Sequence, residues 1–529
     1  MKRRLFLSTA LAIGLIAPPH MAQAEDLHLV WAASSNQDAL YDPRITQSRH
    51  EMQVIWQVFD QLVAADSEGG VHPGLATSWE VADDNMSVRF FLRDDVTFHD
   101  GTPFDAEAVK FTLDTIADPA TGSQAAVDYL GPYAGSEVVG PHEVVVSFSR
   151  PYPNMIAAFS EAYLSPVSPT AVQAMGNTAF SQAPVGTGPF RFVEWVQGSH
   201  VELERFDDYD WAPEFFDHSG PSHVARITHR AIPNAATRIA ALETGEVQLV
   251  DQSPPLDVRR LSDAPGFGVF AGTVSGVPYS VMLNTSHGPL ADINVRKALF
   301  HAIDRPRLAQ NLFFGYTTPA FGPLASSTPG YWPGVEEYYP YDADAAAALL
   351  DEAGWTMGAG GIREKDGAPL RIHMLAMLAP ETAVALQAEA RKVGIHLDVE
   401  NVTKARQDEL VMNNQFMAGE IRWVSNTPSV LRIPFHSSNI PEPGAFRFNW
   451  MHLASDTLDA LIEEAASAET LEVELEKYAE IQRYIMDEAV FMAVHDQTQN
   501  ILHTDDITGM VFAPGQWQVH LYAVRPNDG

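Results

Sequence analysis

Cysteine is absent from all 529 residues. Its absence removes disulfides, thiolate zinc sites, iron–sulfur clusters and cysteine nucleophiles together, and any lipid-bearing cysteine near the N-terminus. Positive charge is scarce: 33 Lys and Arg stand against 68 Asp and Glu, a formal charge of −35. A nucleic-acid backbone needs a basic footprint, and no run of the chain supplies one. No apolar run approaches the roughly 18 residues of a membrane-spanning helix. What is present is ordinary globular material, 46% hydrophobic and 10% aromatic, so the chain can bury a large core rather than stay disordered. Its length exceeds one hydrophobic core and predicts two or three domains or lobes.

The first 24 residues read as an export signal. Lys2, Arg3 and Arg4 precede an apolar stretch from Leu5 to Ala17, and Ala22-Gln23-Ala24 has the small-x-small cleavage pattern. Arg3-Arg4-Leu5-Phe6-Leu7 also resembles a twin-arginine motif, so the export route stays open. Cleavage after Ala24 removes three cations and moves the formal charge from −35 to −38. The expected product is soluble, unanchored and periplasmic.

Strand and helix signals alternate along the rest. Leu27–Trp31, Ser87–Leu92, Val144–Phe148, Phe190–Val193, Val247–Val250 and Val281–Leu283 read as strands. Residues 51–63 place Met52, Ile55, Trp56, Phe59 and Val63 at helical spacing. Asp105 is a good N-cap for a helix over Ala106–Ile116. Residues 150–190, dense in Pro and Gly, suggest a return crossing between subdomains. Helices are predicted over 234–245, 294–304, 342–353 and 381–393, and an acidic helical hairpin over 456–466 and 471–488. The strands near 281–283 and 490–494 are candidate crossings between two lobes, and two crossings make a hinge.

One ordered set of motifs is specific. GLATSWEVADDNMSVRFFLRDDVTFHDGTPFDAEAVKFTLDTI spans 74–116, followed by VGTGPF (185–190), ETGEVQLV (243–250), LNT (283–285), VRKALFHAIDRPRL (295–308), AAAALLDEAGW (345–355), IREKDGAPLRI (362–372) and DEAVFMAVHD (487–496). The set strongly resembles the family-5 solute-binding proteins of ABC importers, which include peptide- and nickel-binding members. The resemblance implies an α/β, two-lobed periplasmic binding protein fold (type II, cluster C) with an extra subdomain. Residues 25–279 and 498–529 would form lobe I, with the subdomain over roughly 66–185, and residues 280–497 would form lobe II. A small-molecule ligand would be engulfed between the lobes, and the monomeric complex would dock on the transmembrane subunits of an ABC permease. No cofactor, catalytic residue or metal is expected.

By the same resemblance, the cleft is lined by stretches at 45–52, 123–133, 159–165, 276–282, 404–408, 423–428, 434–450 and 514–517. Chemistry then selects candidates. Arg49 and His50 precede an apolar helix carrying Met52, and an arginine there offers a bidentate grip on a carboxylate. Tyr133, Tyr163 and Tyr279 each offer a stacking face with one polar tip. Trp423 stands where relatives place a Trp before an Asp-Pro, with Ser425 and Asn426 following on the same loop. Arg406, Arg432, His436, Arg447, Trp450 and Trp517 complete the set.

Two departures matter. Peptide-binding members carry an Asp-Pro whose carboxylate pins the peptide ammonium, whereas here the dipeptide is Thr427-Pro428. Nickel-binding members place arginines in the extra subdomain, and 123–133 and 159–165 have none. Both point away from an ordinary dipeptide or nickel chelate, and toward an organic acid, an amino-acid conjugate, an opine-like compound or a modified peptide. The rival reading is a secreted hydrolase. No Gly-x-Ser-x-Gly elbow, His-Glu-x-x-His helix or Walker loop is present, and of the scattered histidines only His218 and His223 lie fairly close.

Overall fold

The computed structural model describes residues 27–35 and 40–527, so the export-signal reading of residues 1–24 lies outside the described residues. One ten-stranded sheet runs through the molecule. In chain order its strands are β1 (Leu27–Ala33), β2 (Phe190–Val196), β3 (His200–Arg205), β4 (Val224–Ala231), β5 (Leu249–Val250), β6 (Phe267–Leu283), β7 (Arg371–Ala376), β8 (His396–Asn401), β9 (Ala418–Val424) and β10 (Phe491–Thr504). In space the order is β8-β7-β9-β6-β10-β5-β1-β4-β3-β2.

Two strands divide this sheet into two lobes. β6 and β10 pair antiparallel from Phe267 against Thr504 to Met282 against Phe491. At one end they meet β5, and through it β1, and Ile501 packs with Leu29, Trp31 and Leu249 in the core of lobe I. At the other end β6 pairs with β9, and Tyr279, Val281 and Val494 belong to a core with Leu299, Leu350 and Leu386. Between the ends the ladder is irregular. β6 advances from Val274 to Tyr279 while β10 moves only from Gln497 to His495, so the extra β6 residues bulge where the lobes join. Gly276 sits in the bulge at φ 119°, and a Cβ there would lie 2.5 Å from both Ser425 N and Trp423 O. A side chain at this point would push β6 away from the end of β9.

Each lobe aims the carboxyl ends of parallel strands at the seam. In lobe I these are β1, β4 and β5, and in lobe II they are β7, β8 and β9. The ends of parallel strands are where α/β sheets bind ligands. Lobe I also carries a four-stranded antiparallel sheet built from Ala76–Val81, Ser87–Leu92, Glu143–Phe148 and Tyr133–Gly140 in that spatial order. It has its own core, centred on Phe90, Phe98, Phe104, Val144 and Phe159.

The helices follow their predicted patterns with one shortening. Asp105 accepts from Ala108 N and caps Ala106–Ala117, as its position predicts. The acidic hairpin forms over Asp456–Ala466 and Leu471–Glu488. The first helix, however, stops at Val58, where Phe59 turns extended and leads into the short strand Val63–Ala65. The apolar spacing through Val63 therefore belongs partly to a strand. The predicted strand at 281–283 is the end of the much longer β6.

Candidate functional site

The site begins at the carboxyl ends of β1 and β5. A pocket of about 590 Å3, its open mouth included, is lined by Trp31, His50, Glu51, Asp251, Gln499 and Trp517. His50 sits in the first turn of the helix Arg49–Val58, with Ser34 Oγ 3.2 Å and Gln252 Nε2 3.5 Å from its Nε2. Arg49 opens that helix, and its side chain lies outside the described residues. Burial pushes the Asp251 carboxyl up to about 7, against the opposing pull of Arg238 and the Trp31 indole N–H. Burial drops His229 to about 4, so its ring, 5.7 Å from Trp31, is neutral. The pocket floor is thus polar, and His229 adds no charge to it.

A chain of contacts leads from this pocket into lobe II. Gln499 donates to Trp517 O at 3.2 Å, and Gln497, two residues back along β10, donates to Trp423 O at 3.0 Å. Trp423 is half-buried at the end of β9, edge-on to Phe448 at 4.9 Å. The loop after it approaches lobe I, where a Cβ on Gly515 would lie 3.9 Å from Asn426 Cβ. Asn426 also donates to Glu161, and Ser425 hydrogen-bonds the Tyr129 phenol. Tyr129 stacks on Tyr163 at 5.1 Å and 12°. His50, Tyr163, Trp423, Ser425, Asn426 and Trp517 are therefore brought to one seam. Two buried acceptors on it, Gln497 Oε1 and Asn426 Oδ1, have no hydrogen-bond partner among the described residues.

Other sequence candidates stand elsewhere. Met52 is 2% exposed and packs in the lobe I core with Ile55 and Phe190, because the apolar face of its helix points inward. Trp450 is likewise 2% exposed, its indole donating to Arg447 O, and fills the lobe II core beside Phe416. Tyr279 is fully buried where the lobes join and donates to Glu420. Tyr133 donates to Asp114 at 2.6 Å within the subdomain. Among the cations, Arg406 pairs with Glu409 at 2.9 Å and Arg432 with Glu463 at 2.7 Å, while Arg447 meets Glu442 at 3.1 Å and His436 meets Glu463 at 3.1 Å. These side chains are satisfied within their own lobes, which corrects the view that all of them line the cleft.

Two residues were missed. Arg422 precedes Trp423, and among the described residues no carboxylate lies within 4.0 Å of its guanidinium. Desolvation holds its guanidinium below the usual arginine range, with Glu420 and Tyr279 acting the other way. Its signal was adjacency to Trp423. Glu161 lies in the 159–165 stretch, which the sequence distinguishes only by its lack of arginine. Among the described residues, the one cluster with metal-compatible geometry, Glu194, His200 and Glu202, lies on the outer hairpin of β2 and β3. No helix of the described residues is long and apolar enough to cross a membrane.

Comparison with known proteins agrees with this architecture. Residues 70–439 match the model of bacterial extracellular solute-binding proteins, family 5. The glutathione-binding protein GsiB of Shigella flexneri is 32% identical over 365 residues, 68% of each chain. The nickel-binding periplasmic protein of Escherichia coli K12 is 26% identical over 545 residues, 99% of each chain. The structure of NikA from Brucella suis in complex with Fe(III)-EDTA superposes with a TM-score of 0.82 at 26% identity, covering 95% of this chain and 100% of that one. A mixed α/β chain with two lobes, joined by β6 and β10 and matched over most of its length by such relatives, belongs to family 5 of the bacterial extracellular solute-binding proteins.

Proposed function

We propose that this solute-binding protein serves an ABC importer by capturing a small organic ligand between its lobes and delivering it to the permease. The ligand class is peptide-like, opine-like or an organic-acid conjugate. One observation carries this reading. His50, Gln499 and Trp517 of lobe I meet Trp423, Ser425 and Asn426 of lobe II across a single seam, at the carboxyl ends of both sets of parallel strands. Enclosing sites combine rigid aromatic walls with a few placed polar groups, and this seam has both.

The mechanism is a population shift. The lobes rotate about the irregular stretch of β6 and β10, and a ligand that touches both lobes stabilises the closed arrangement by its differential affinity. Capture takes place in the periplasm after cleavage at Ala24, in a monomer.

The test is a thermal-shift screen of the mature protein against glutathione, dipeptides, opines, organic-acid conjugates and Ni(II)–histidine, followed by small-angle scattering with any hit. A hit raises the unfolding midpoint by mass action and reduces the radius of gyration. A tight ligand that leaves the radius unchanged, or turnover of the ligand on prolonged incubation, overturns the reading.

A further inference from the structure

A second pocket lies in lobe I, apart from the seam. Its volume is about 370 Å3, its open mouth included, and it shares no lining residue with the pocket at the carboxyl ends of β1 and β5. Four aromatic side chains wall it. Trp56 comes from the first helix, Tyr209 and Phe216 from the segment between β3 and β4, and Tyr522 from the end of the chain. Each is at most 7% exposed. Tyr522 holds two of the others in place, edge-on to Phe216 at 5.2 Å and to Tyr209 at 5.3 Å.

This apolar frame contains one acid and one imidazole. Asp60 keeps part of its surface open to the pocket. Its carboxylate accepts from Tyr209, Trp211 and Thr187, which leaves one of about four lone-pair sites unused. The titratable groups around it are Tyr209, Tyr522 and Arg93, and Arg93 is already paired with Asp95 at 2.6 Å. With its pKa at about 6, Asp60 is mostly ionised at neutral pH. The His520 ring stands edge-on to Trp56 at 5.0 Å and to Phe216 at 5.1 Å. Its Nε2 is buried with no hydrogen-bond partner among the described residues, and burial drops the imidazole to about 4, so it is neutral.

These deficits define a ligand. A partly desolvated carboxylate calls for positive charge, and aromatic rings around it favour the same sign. An orphaned ring nitrogen calls for a hydrogen-bond partner, and a neutral imidazole can offer it a lone pair. A quaternary ammonium brings charge but no donor, and an alcohol brings a donor but no charge. A primary ammonium brings both, on an alkyl group that suits the apolar walls. We propose that this pocket is a second ligand site, taking a short primary alkylammonium ion with Asp60 and His520 Nε2 as its acceptors. All of its walls belong to lobe I, so filling it requires no lobe closure, and the proposal stands apart from the capture reading.

The test titrates the mature protein with 13C-labelled methylammonium, followed by NMR at pH 7.5 in phosphate. The native protein binds with a dissociation constant in about the millimolar range, as befits so small an ion. Asp60→Asn, which keeps an acceptor for the buried donors, weakens binding about tenfold or more. His520→Phe, which keeps a ring against Trp56 and Phe216, weakens it about fivefold. Tetramethylammonium, with the same charge and no N–H, binds the native protein more weakly than methylammonium. Affinity of the native protein falls as pH is lowered from 7.5 to 5, because Asp60 takes up a proton, and that fall is absent in Asp60→Asn. Trp517→Ala leaves methylammonium binding unchanged. Circular dichroism checks the fold of each variant, and if Asp60→Asn is unfolded, His520→Phe and the native pH profile decide. No binding at about 50 mM methylammonium, equal binding by the native protein and the folded variants, or a preference for tetramethylammonium overturns the assignment. Loss of binding in Trp517→Ala would put the amine at the seam and overturns it as well.

Discussion

Tyr279 and His495 lie face to face, ring centroids 4.8 Å apart and planes 5° from parallel, where β6 and β10 pass from one lobe to the other. The Tyr279 hydroxyl donates to Glu420, whose second oxygen accepts from Met377 N at 2.8 Å and Leu378 N at 2.6 Å. The crossing is thereby tied to the carboxyl end of β7. Burial drops His495 to about 4, so the stack is neutral throughout the physiological range. Tyr279→Phe keeps the stack and removes one donor to Glu420. The expected loss is about 1–2 kcal/mol in denaturant unfolding, with ligand affinity also altered because the same bond sets the crossing. A variant as stable as the native protein would show that the hydroxyl is dispensable.

Trp517 lines the lobe I pocket from an irregular segment, outside the regular elements that hold the core. Trp517→Ala should weaken a confirmed ligand about tenfold or more while shifting the unfolding midpoint little. Calorimetry together with thermal unfolding separates the two effects.

Met52 and Trp450 predict the reverse pattern. Both are core side chains, so Met52→Ala and Trp450→Ala should each cost about 2–5 kcal/mol in chemical denaturation. The ligand preference of whatever folded protein remains should be unchanged.

Arg422 is the cation beside Trp423 that no described carboxylate engages at ion-pair distance. Arg422→Gln should weaken an anionic ligand about tenfold, whereas Arg406→Gln and Arg432→Gln, which only break exposed surface pairs, should not. Affinities of the three variants measured side by side decide between them.

Asp60 predicts a pH effect. It accepts from Tyr209 at 3.1 Å, Trp211 at 2.9 Å and Thr187 at 3.0 Å, and burial still pushes its carboxyl up to about 6. A raised acid holds its proton longer in the folded state than in the unfolded chain. Stability from this group is therefore present at low pH and falls as pH climbs from roughly 4 to 6, by about 3 kcal/mol. Unfolding free energies across that window should decline in the native protein and decline less in Asp60→Asn. Asp60→Ala leaves three buried donors unpaired and should cost several kcal/mol at any pH.

Local rules made the elements legible. Asp105 caps its helix because its side chain reaches Ala108 N, and a Cβ at Gly186 would lie 2.1 Å from Val58 O, the tight backbone passage that Gly186-Thr187-Gly188-Pro189 implied. The ordered motifs carried the family. The site was legible only in part, because loop position does not tell which way a side chain turns. Met52 and Trp450 share their segments with cleft residues and turn inward. Arg406 and Arg432 had carboxylates three and thirty-one residues away, and only the latter needed the fold to bring it near. Glu161 and Asn426, 265 residues apart, were invisible as a pair.

The end of the chain stitches itself into its beginning. Gln53 and Gln57 both donate to Val519 O, at 2.7 and 2.8 Å, and Val519 N and Leu521 N donate back to them at 2.9 Å each. Lobe II draws its cores from residues 277–494, an unbroken run, while the lobe I core needs Ile501, Val519 and Val524. A growing polypeptide thus has everything required to settle its second lobe before it can complete its first. Until residues 501–524 are made, the lobe I core lacks these partners.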